Sequence, residues 1–234
     1  MQLFLNTGLD NSYKQFFFTP EESKHIVKVL RKVEGDLLKI TNGKGSIFTA
    51  KIVDANLKKC KAQIIEEKKQ IPRLHTLHLA VAPTKINDRF EWFLEKATEI
   101  GIDQITPILC ERSERKTIKM ERLERIIQSA TKQSLQAFLP RLNPLTPLDD
   151  FLTLESNSLR FIAHCEEGEK IELNRCVAAD KDVVILIGPE GDFSPNEIKK
   201  ALDQQYRPVS LGRNRLRTET AAIVACTTVA LINN

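Results

Sequence analysis

Apolar positions recur along this chain with two different rhythms, and the change from one to the other divides it. Thr19-Pro20-Glu21-Glu22 predicts a helix start, with Thr as N-cap, Pro at the first helical position and Glu at the third. Ile26, Val29, Leu30 and Val33 then follow at the spacing of one buried helical face, and Lys24, Lys28 and Arg31 repeat it on another. Short alternating runs come next. Leu37 to Thr41, Ser46 to Val53 and Cys60 to Ile65 predict strands of a small β-barrel, joined at Asn42-Gly43-Lys44-Gly45 and at Asn56. Glu66 to Pro72 is charged, has no hydrophobic period and ends in Pro. It predicts a boundary, with one domain over 1–72 and a second over 73–234.

In the second part, strand and helix patterns alternate. Thr76 to Ala82, Gln104 to Leu109, Leu159 to His164, Val183 to Ile187 and Val209 to Leu211 read as strands. Asn87 to Ile100, Lys119 to Phe138, Pro195 to Gln205 and Glu219 to Ile232 read as helices. This alternation predicts an α/β domain with a mostly parallel sheet covered on both faces. The last helix is apolar nearly all round, which places it in the core or in a subunit interface.

Composition adds little until the charge is divided. The 234 residues are 41% apolar and 28% charged, the balance of a soluble globular protein. Met1 to Gly8 lacks the basic-then-apolar layout of a signal peptide. Ala221 to Ile232, the most apolar stretch, is shorter than the roughly 20 residues that span a bilayer, so no membrane association is expected. Five cysteines, an odd number with no C-x-x-C pair, point to free thiols in the cytoplasm rather than to disulfides or structural zinc. The net charge is +4, but residues 1–72 carry +5 and residues 73–234 carry −1. A basic N-terminal module suits a polyanionic partner.

Several familiar sites are absent from the sequence. It has no Walker loop and no His-Glu-x-x-His, and its only Gly-x-Gly lies in the Gly43-Lys44-Gly45 hairpin. His75 and His78, three apart in a strand, point to opposite faces and make a poor metal pair, so no metal is expected. Two segments remain, both at C-terminal ends of strands, where open α/β sheets bind ligands. The first runs from the apolar strand into Gly188-Pro189-Glu190-Gly191-Asp192-Phe193. Ser194, Pro195 and Glu197 then predict a capping box, and the glycines allow a close backbone approach or positive φ. The second is Leu211-Gly212-Arg213-Asn214-Arg215-Leu216-Arg217-Thr218-Glu219-Thr220-Ala221. Four arginines and no acid lie between Arg207 and Arg217, beside a helix N-terminus, so this loop predicts an anion nearby.

Together these two segments closely resemble the paired signatures of the RsmE family, SPOUT-class methyltransferases acting on N3 of a uridine in 16S ribosomal RNA. The likeness extends to His25-Ile26-Val27-Lys28-Val29-Leu30-Arg31, to Lys96-Ala97-Thr98-Glu99-Ile100-Gly101, to Glu111-Arg112-Ser113 and to Lys132-Gln133-Ser134. The resemblance implies a PUA-like RNA-binding barrel followed by a SPOUT domain whose C-terminal region forms a deep trefoil knot. It implies a homodimer, S-adenosylmethionine as cofactor, and 16S rRNA of the small ribosomal subunit as partner. Carried over to this chain, the cofactor would be held by His164, Gly188, Pro189, Glu190, Gly191, Leu211, Gly212, Asn214, Arg215 and Leu216. Arg217 would be the catalytic cation, Glu219 a candidate proton acceptor, and Lys24, Lys28, Arg31 and Arg112 would hold RNA. Another SPOUT enzyme, acting on transfer RNA or a different ribosomal nucleotide, would share the knot. A non-catalytic RNA-binding protein would leave both loops without a use.

Overall fold

The structure is a computed structural model that describes residues 2–10, 12–154 and 157–233; Met1 and Asn234, the outer limits of the two expected domains, lie outside the described residues. The chain divides into two compact units, one of 1–72 with 131–139 and one of 73–130 with 140–234.

The first unit contains β1 (Leu3–Leu5), β2 (Gln15–Phe17), α1 (Pro20–Lys24), β3 (Leu37–Thr41), β4 (Ser46–Asp54) and β5 (Lys61–Lys69). Its sheet has the order β1-β3-β4-β5-β2, antiparallel except for the β1–β3 pair. Alternation along the strands buries Phe16, Ile40, Phe48 and Ile52 on one face, where they form a core with Phe4, Phe18 and Ile26. The Phe4 and Phe18 rings meet edge to face at 5.4 Å, so side chains from beside the two edge strands, β1 and β2, close the core.

Two expectations change here. The helix begins as expected, with the Thr19 hydroxyl accepting the Glu22 N–H, but His25–Val29 is a π-helical turn. The Leu30 N–H donates to the His25 carbonyl and the Lys32 N–H to the Ile26 carbonyl. Such a turn rotates the side chains away from α-helical spacing. Ile26 is therefore buried, whereas Val29 and Val33 are 63% and 61% exposed. Lys24, Lys28 and Arg31 are all exposed, but Arg31 lies beyond the helix, at φ 54°. The second change concerns Glu66–Lys69, expected as linker, which continues β5. Its carboxylates have partners on β4: the Ser46 hydroxyl donates to Glu67 and the Thr49 hydroxyl to Glu66.

Residues 131–139 were expected to belong with the second half, in one helix running to Phe138. That helix, α3 (Met120–Gln133), stops earlier, and Leu135 adopts φ 58°. Residues 137–139 instead meet the β3–β4 hairpin. The Gly45 N–H and the Thr41 hydroxyl donate to the Ala137 carbonyl, and the Leu139 N–H donates to the Gly43 carbonyl. A Cβ at Gly45 would sit 2.7 Å from the Phe138 ring, and its φ is 97°, so glycine is required there on both counts.

The second unit runs through β6 (Leu77–Val81), α2 (Asn87–Ile100), β7 (Gln104–Leu109), most of α3, β8 (Arg141–Leu142), β9 (Thr146–Pro147), α4 (Leu148–Leu152), β10 (Leu159–Ala163), β11 (Ile171–Glu172), α5 (Leu173–Cys176), β12 (Val183–Ile187), α6 (Pro195–Asp203), β13 (Arg207–Ser210) and α7 (Thr218–Ile232). Every strand pair is parallel, in the order β11-β13-β10-β12-β6-β7-β8, with β9 beside β7. All five residues of β12 are buried, as a strand covered on both faces requires. The α7 helix returns from beyond β13 to pack on α2, α5, β6 and β12, burying Ala222, Ala225, Cys226 and Val229. Among the described residues no helix is long and apolar enough to cross a membrane.

Candidate active site

Parallel pairing places the C-terminal ends of β13, β10 and β12 side by side. Three loops leave them: His164-Cys165 after β10, Gly188 to Gly191 after β12, and Leu211 to Leu216 after β13. Together with the start of α7 they enclose a cavity of about 750 Å³. His164, Gly188, Pro189, Glu190, Leu211, Gly212, Asn214, Arg215, Leu216 and Arg217 all line it; Gly191 does not.

The walls are tied to each other by polar contacts. The Thr218 hydroxyl donates to the Gly188 carbonyl at 3.0 Å, which joins the start of α7 to the β12 loop. Asp192, at φ 63°, accepts from the Cys165 N–H at 2.7 Å through Oδ2 and from its neighbour Phe193 through Oδ1. The expected Ser194–Glu197 capping box is present at the head of α6. Glu197 also reaches outward: its Oε1 accepts the Glu111 N–H at 2.8 Å while Oε2 accepts the Ser194 N–H. One buried carboxylate thus ties two loops together.

Neither glycine of the β12 turn has positive φ. Both are packing positions: a Cβ on Gly188 would lie 3.0 Å from the Phe193 ring, and one on Gly191 would lie 3.2 Å from the Arg112 Cβ. Phe193 is fully buried. Gly188→Val is therefore expected to overpack the core behind the cavity rather than fill the cavity, at a cost of about 1–3 kcal/mol. Thermal unfolding checks this; a valine variant with wild-type melting would contradict it.

Arg112, assigned to RNA from sequence, donates to the Gly191 carbonyl at 3.1 Å and to the Phe193 carbonyl at 3.4 Å. It braces the turn while remaining exposed. Arg115, which the sequence reading passed over, does the same for the neighbouring loop, donating to the carbonyls of Thr84 and Lys85. Neither contact leaves a signal in sequence, since the acceptors are backbone carbonyls far along the chain.

The two residues proposed for chemistry separate. Arg217 is exposed and lines the cavity, and among the described residues it pairs with no carboxylate, nor do Arg213 and Arg215. Glu219 is buried off the cavity, with Oε1 3.7 Å from Arg89 Nε on α2 and Oε2 without a hydrogen-bond partner among the described residues. Both ring nitrogens of His164 are buried and also lack a partner among the described residues. Burial pushes its pKa below the usual value, helped by Lys170 and opposed by Asp192 and Glu166. The ring has hydrogen-bonding capacity to offer at the cavity wall.

A parallel sheet with a cavity at the C-terminal ends of its strands is where open α/β proteins bind ligands, and the chain belongs to the RNA methyltransferase family. The RNA methyltransferase domain model matches residues 50–230, and the RNA methyltransferase PUA domain model matches residues 18–65. Within that family the chain groups with the ribosomal RNA small subunit methyltransferase E proteins. It is 32% identical to that of Buchnera aphidicola over 97% of this chain and 91% of the relative, and 29% identical to that of Rickettsia conorii over 100% and 96%. A crystal structure of a probable rRNA-methyltransferase from Porphyromonas gingivalis superposes with a TM-score of 0.92 at 40% identity, covering 100% of this chain and 98% of that one. A methyltransferase structure from Legionella pneumophila with bound cofactor SAM gives 0.88 at 30% identity, covering 99% and 97%.

Proposed function

We propose that this protein methylates N3 of a uridine in the 16S rRNA of the small ribosomal subunit, using S-adenosylmethionine. The observation that carries this reading is the cavity, which brings the two family loops and Arg217 together. Its walls fit the cofactor: the His164 ring nitrogens, without a hydrogen-bond partner among the described residues, and the backbone groups of the loops Gly188 to Glu190 and Leu211 to Leu216 offer polar atoms, and the Glu190 and Asp192 carboxylates stand at the same wall. Bound there, S-adenosylmethionine would supply an electrophilic methyl group. The protein's part is to hold the uracil in line and to stabilise the charge left on O2 and O4 when N3 loses its proton. Arg217, exposed at the cavity, is the group for that charge. Glu219, turned toward Arg89, is a positioning residue in this account, and the proton passes to water.

The threaded path implied by the family resemblance is supported by α7, which leaves the far side of β10 and packs against α5, β6 and β12. A homodimer is the further implication of the family resemblance; Trp92 on α2 and Leu231 on α7, 45% and 70% exposed, are large apolar side chains that a partner could cover. Ribosomal RNA as substrate supports a cytoplasmic location. Lys24, Lys28 and Arg31 grip phosphates and supply affinity more than sequence choice. The triple variant Lys24→Glu/Lys28→Glu/Arg31→Glu is expected to bind small subunits more weakly and with a flatter salt dependence, leaving cofactor affinity unchanged. Filter binding across a salt series checks it; equal loss of cofactor binding would make the segment structural. The function itself is tested by transfer of labelled methyl from S-adenosylmethionine to unmodified small subunits, with transfer RNA as the competing acceptor. Label in transfer RNA alone would overturn the assignment.

A further inference from the structure

The β2–β5 edge of the first unit carries a surface that none of the residues above explains. On β2, Phe16 is buried and Phe17 is 47% exposed, and Phe18 just beyond the strand is buried again. Phe17 pairs in register with Lys61, and Gln15 with Gln63. Strand alternation puts Gln15, Phe17, Lys61 and Gln63 on one outward face. The ammonium of Lys59 lies 4.3 Å from the centre of the Phe17 ring, and that of Lys61 lies 5.6 Å from it. Neither lysine, nor Lys58 beside them, pairs with a carboxylate among the described residues, although Asp54 stands opposite Lys61 in the ladder. A single exposed phenylalanine is ordinary. An exposed ring flanked by two uncompensated cations and two side-chain amides is a combination that suits one kind of partner.

We propose, resting on the RNA methyltransferase reading, that this face is a stacking platform for an unpaired nucleotide of the substrate RNA. The base lies on the Phe17 ring, the Gln15 and Gln63 amides face its edge, and Lys59 and Lys61 take the flanking phosphates. Every nucleobase has a π-face, so such a platform captures single-stranded RNA with little sequence preference. The lysine positions agree with this. In the free protein both ammonium groups lie against the ring quadrupole, and four-carbon stems let them move to a phosphate when one arrives. The platform also adjoins the basic segment: the Phe18 N–H donates to the Cys60 carbonyl, and the Cys60 N–H donates to the Ser23 hydroxyl, next to Lys24. The two basic stretches, Lys24 with Lys28 and Lys59 with Lys61, are thus joined by hydrogen bonds within one unit.

The test compares full-length wild type, Phe17→Ala, Phe17→Trp and Lys59→Ala/Lys61→Ala. Three quantities are measured: binding of a labelled single-stranded RNA oligonucleotide across a salt series, methyl transfer to small-subunit RNA, and cofactor affinity. Phe17→Ala is expected to weaken RNA binding roughly 5- to 150-fold, the range for loss of one stacking contact. It should raise the RNA concentration needed for half-maximal rate, with cofactor affinity unchanged. Phe17→Trp should restore binding, which a merely structural role for the ring would not do. The double lysine variant should weaken binding and lower the salt slope by about 1.4, at roughly 0.7 per phosphate contact on a single strand. Wild-type RNA affinity in Phe17→Ala overturns the platform while wild-type methyl transfer upholds the enzymatic reading. Lysine-dependent binding that ignores Phe17 also overturns it. If the wild type transfers no methyl to ribosomal RNA, the enzymatic reading fails and the platform falls with it.

Discussion

Replacing Arg217 by alanine should leave cofactor binding nearly normal and slow methyl transfer at least about 100-fold, the usual cost of removing one donor to a developing oxyanion. The expectation follows from where the residue is and what surrounds it. Arg217 is the N-cap of α7, its side chain makes no capping hydrogen bond, and it lines the cavity. No carboxylate among the described residues holds it, so its charge is free to act. A guanidinium is a poor ground-state partner for a cofactor that is itself positive at sulfur. It is a good partner for uracil oxygens that gain negative charge as N3 loses its proton. Removing an interaction made mainly in the transition state lowers turnover without a matching loss of binding. Single-turnover rates at saturating cofactor and RNA, with calorimetry for cofactor affinity, separate the two effects. Wild-type turnover would exclude Arg217 as the cation, and lost cofactor affinity would make it part of the pocket wall.

The second large effect is expected in the frame of the cavity. Glu197→Ala removes the acceptor for the Ser194 N–H, which is buried, and for the Glu111 N–H, which is partly so. Unsatisfied buried donors cost about 1–3 kcal/mol each, and the pair together about 2–4 kcal/mol. For a chain of this size that lowers the melting temperature by roughly 5–15 °C. Glu197→Gln keeps one amide oxygen and should lose about half as much. The loss is expected to reach the cavity, because Glu197 ties the β12 turn to the loop that carries Arg112. Thermal unfolding of both variants, with and without S-adenosylmethionine, measures it. An alanine variant melting with the wild type would show that the two loops are held by other contacts.

What could be read from sequence follows the range of the forces involved. Asn87–Ile100, Gln104–Leu109 and Val183–Ile187 have in the structure the limits their periodicity indicates, because their limits are set locally. The Gly101 cap after α2, at φ 108°, is such a local signal. The strands β1 and β2 span three residues each and have too few alternations to stand out. Residues 131–139 were misplaced because their partners, Thr41, Gly43 and Gly45, lie about ninety positions earlier. The π-turn at His25–Val29 displaced Val29 and Val33 from the core, and nothing in their spacing separates it from an α-helical turn.

The site divides along the same line. The glycine-rich turn stands out by its Gly-Pro-Glu-Gly run into a capping box, and the arginine-rich loop by four cations without an acid. The direction of individual side chains does not. Arg217 and Glu219 sit two residues apart in one signature, yet one lines the cavity and the other faces Arg89. Gly188 and Gly191 suggest backbone freedom, whereas their role is room for Phe193 and Arg112.

A methyl group placed on one atom of one base is read most directly by mass spectrometry of nucleosides from 16S rRNA of unmodified small subunits, before and after incubation with the protein and S-adenosylmethionine. One new N3-methyluridine per 16S molecule is expected, absent without cofactor and strongly reduced with Arg217→Ala. Methylation at a ribose, at carbon 5 of uracil or at another base would contradict it.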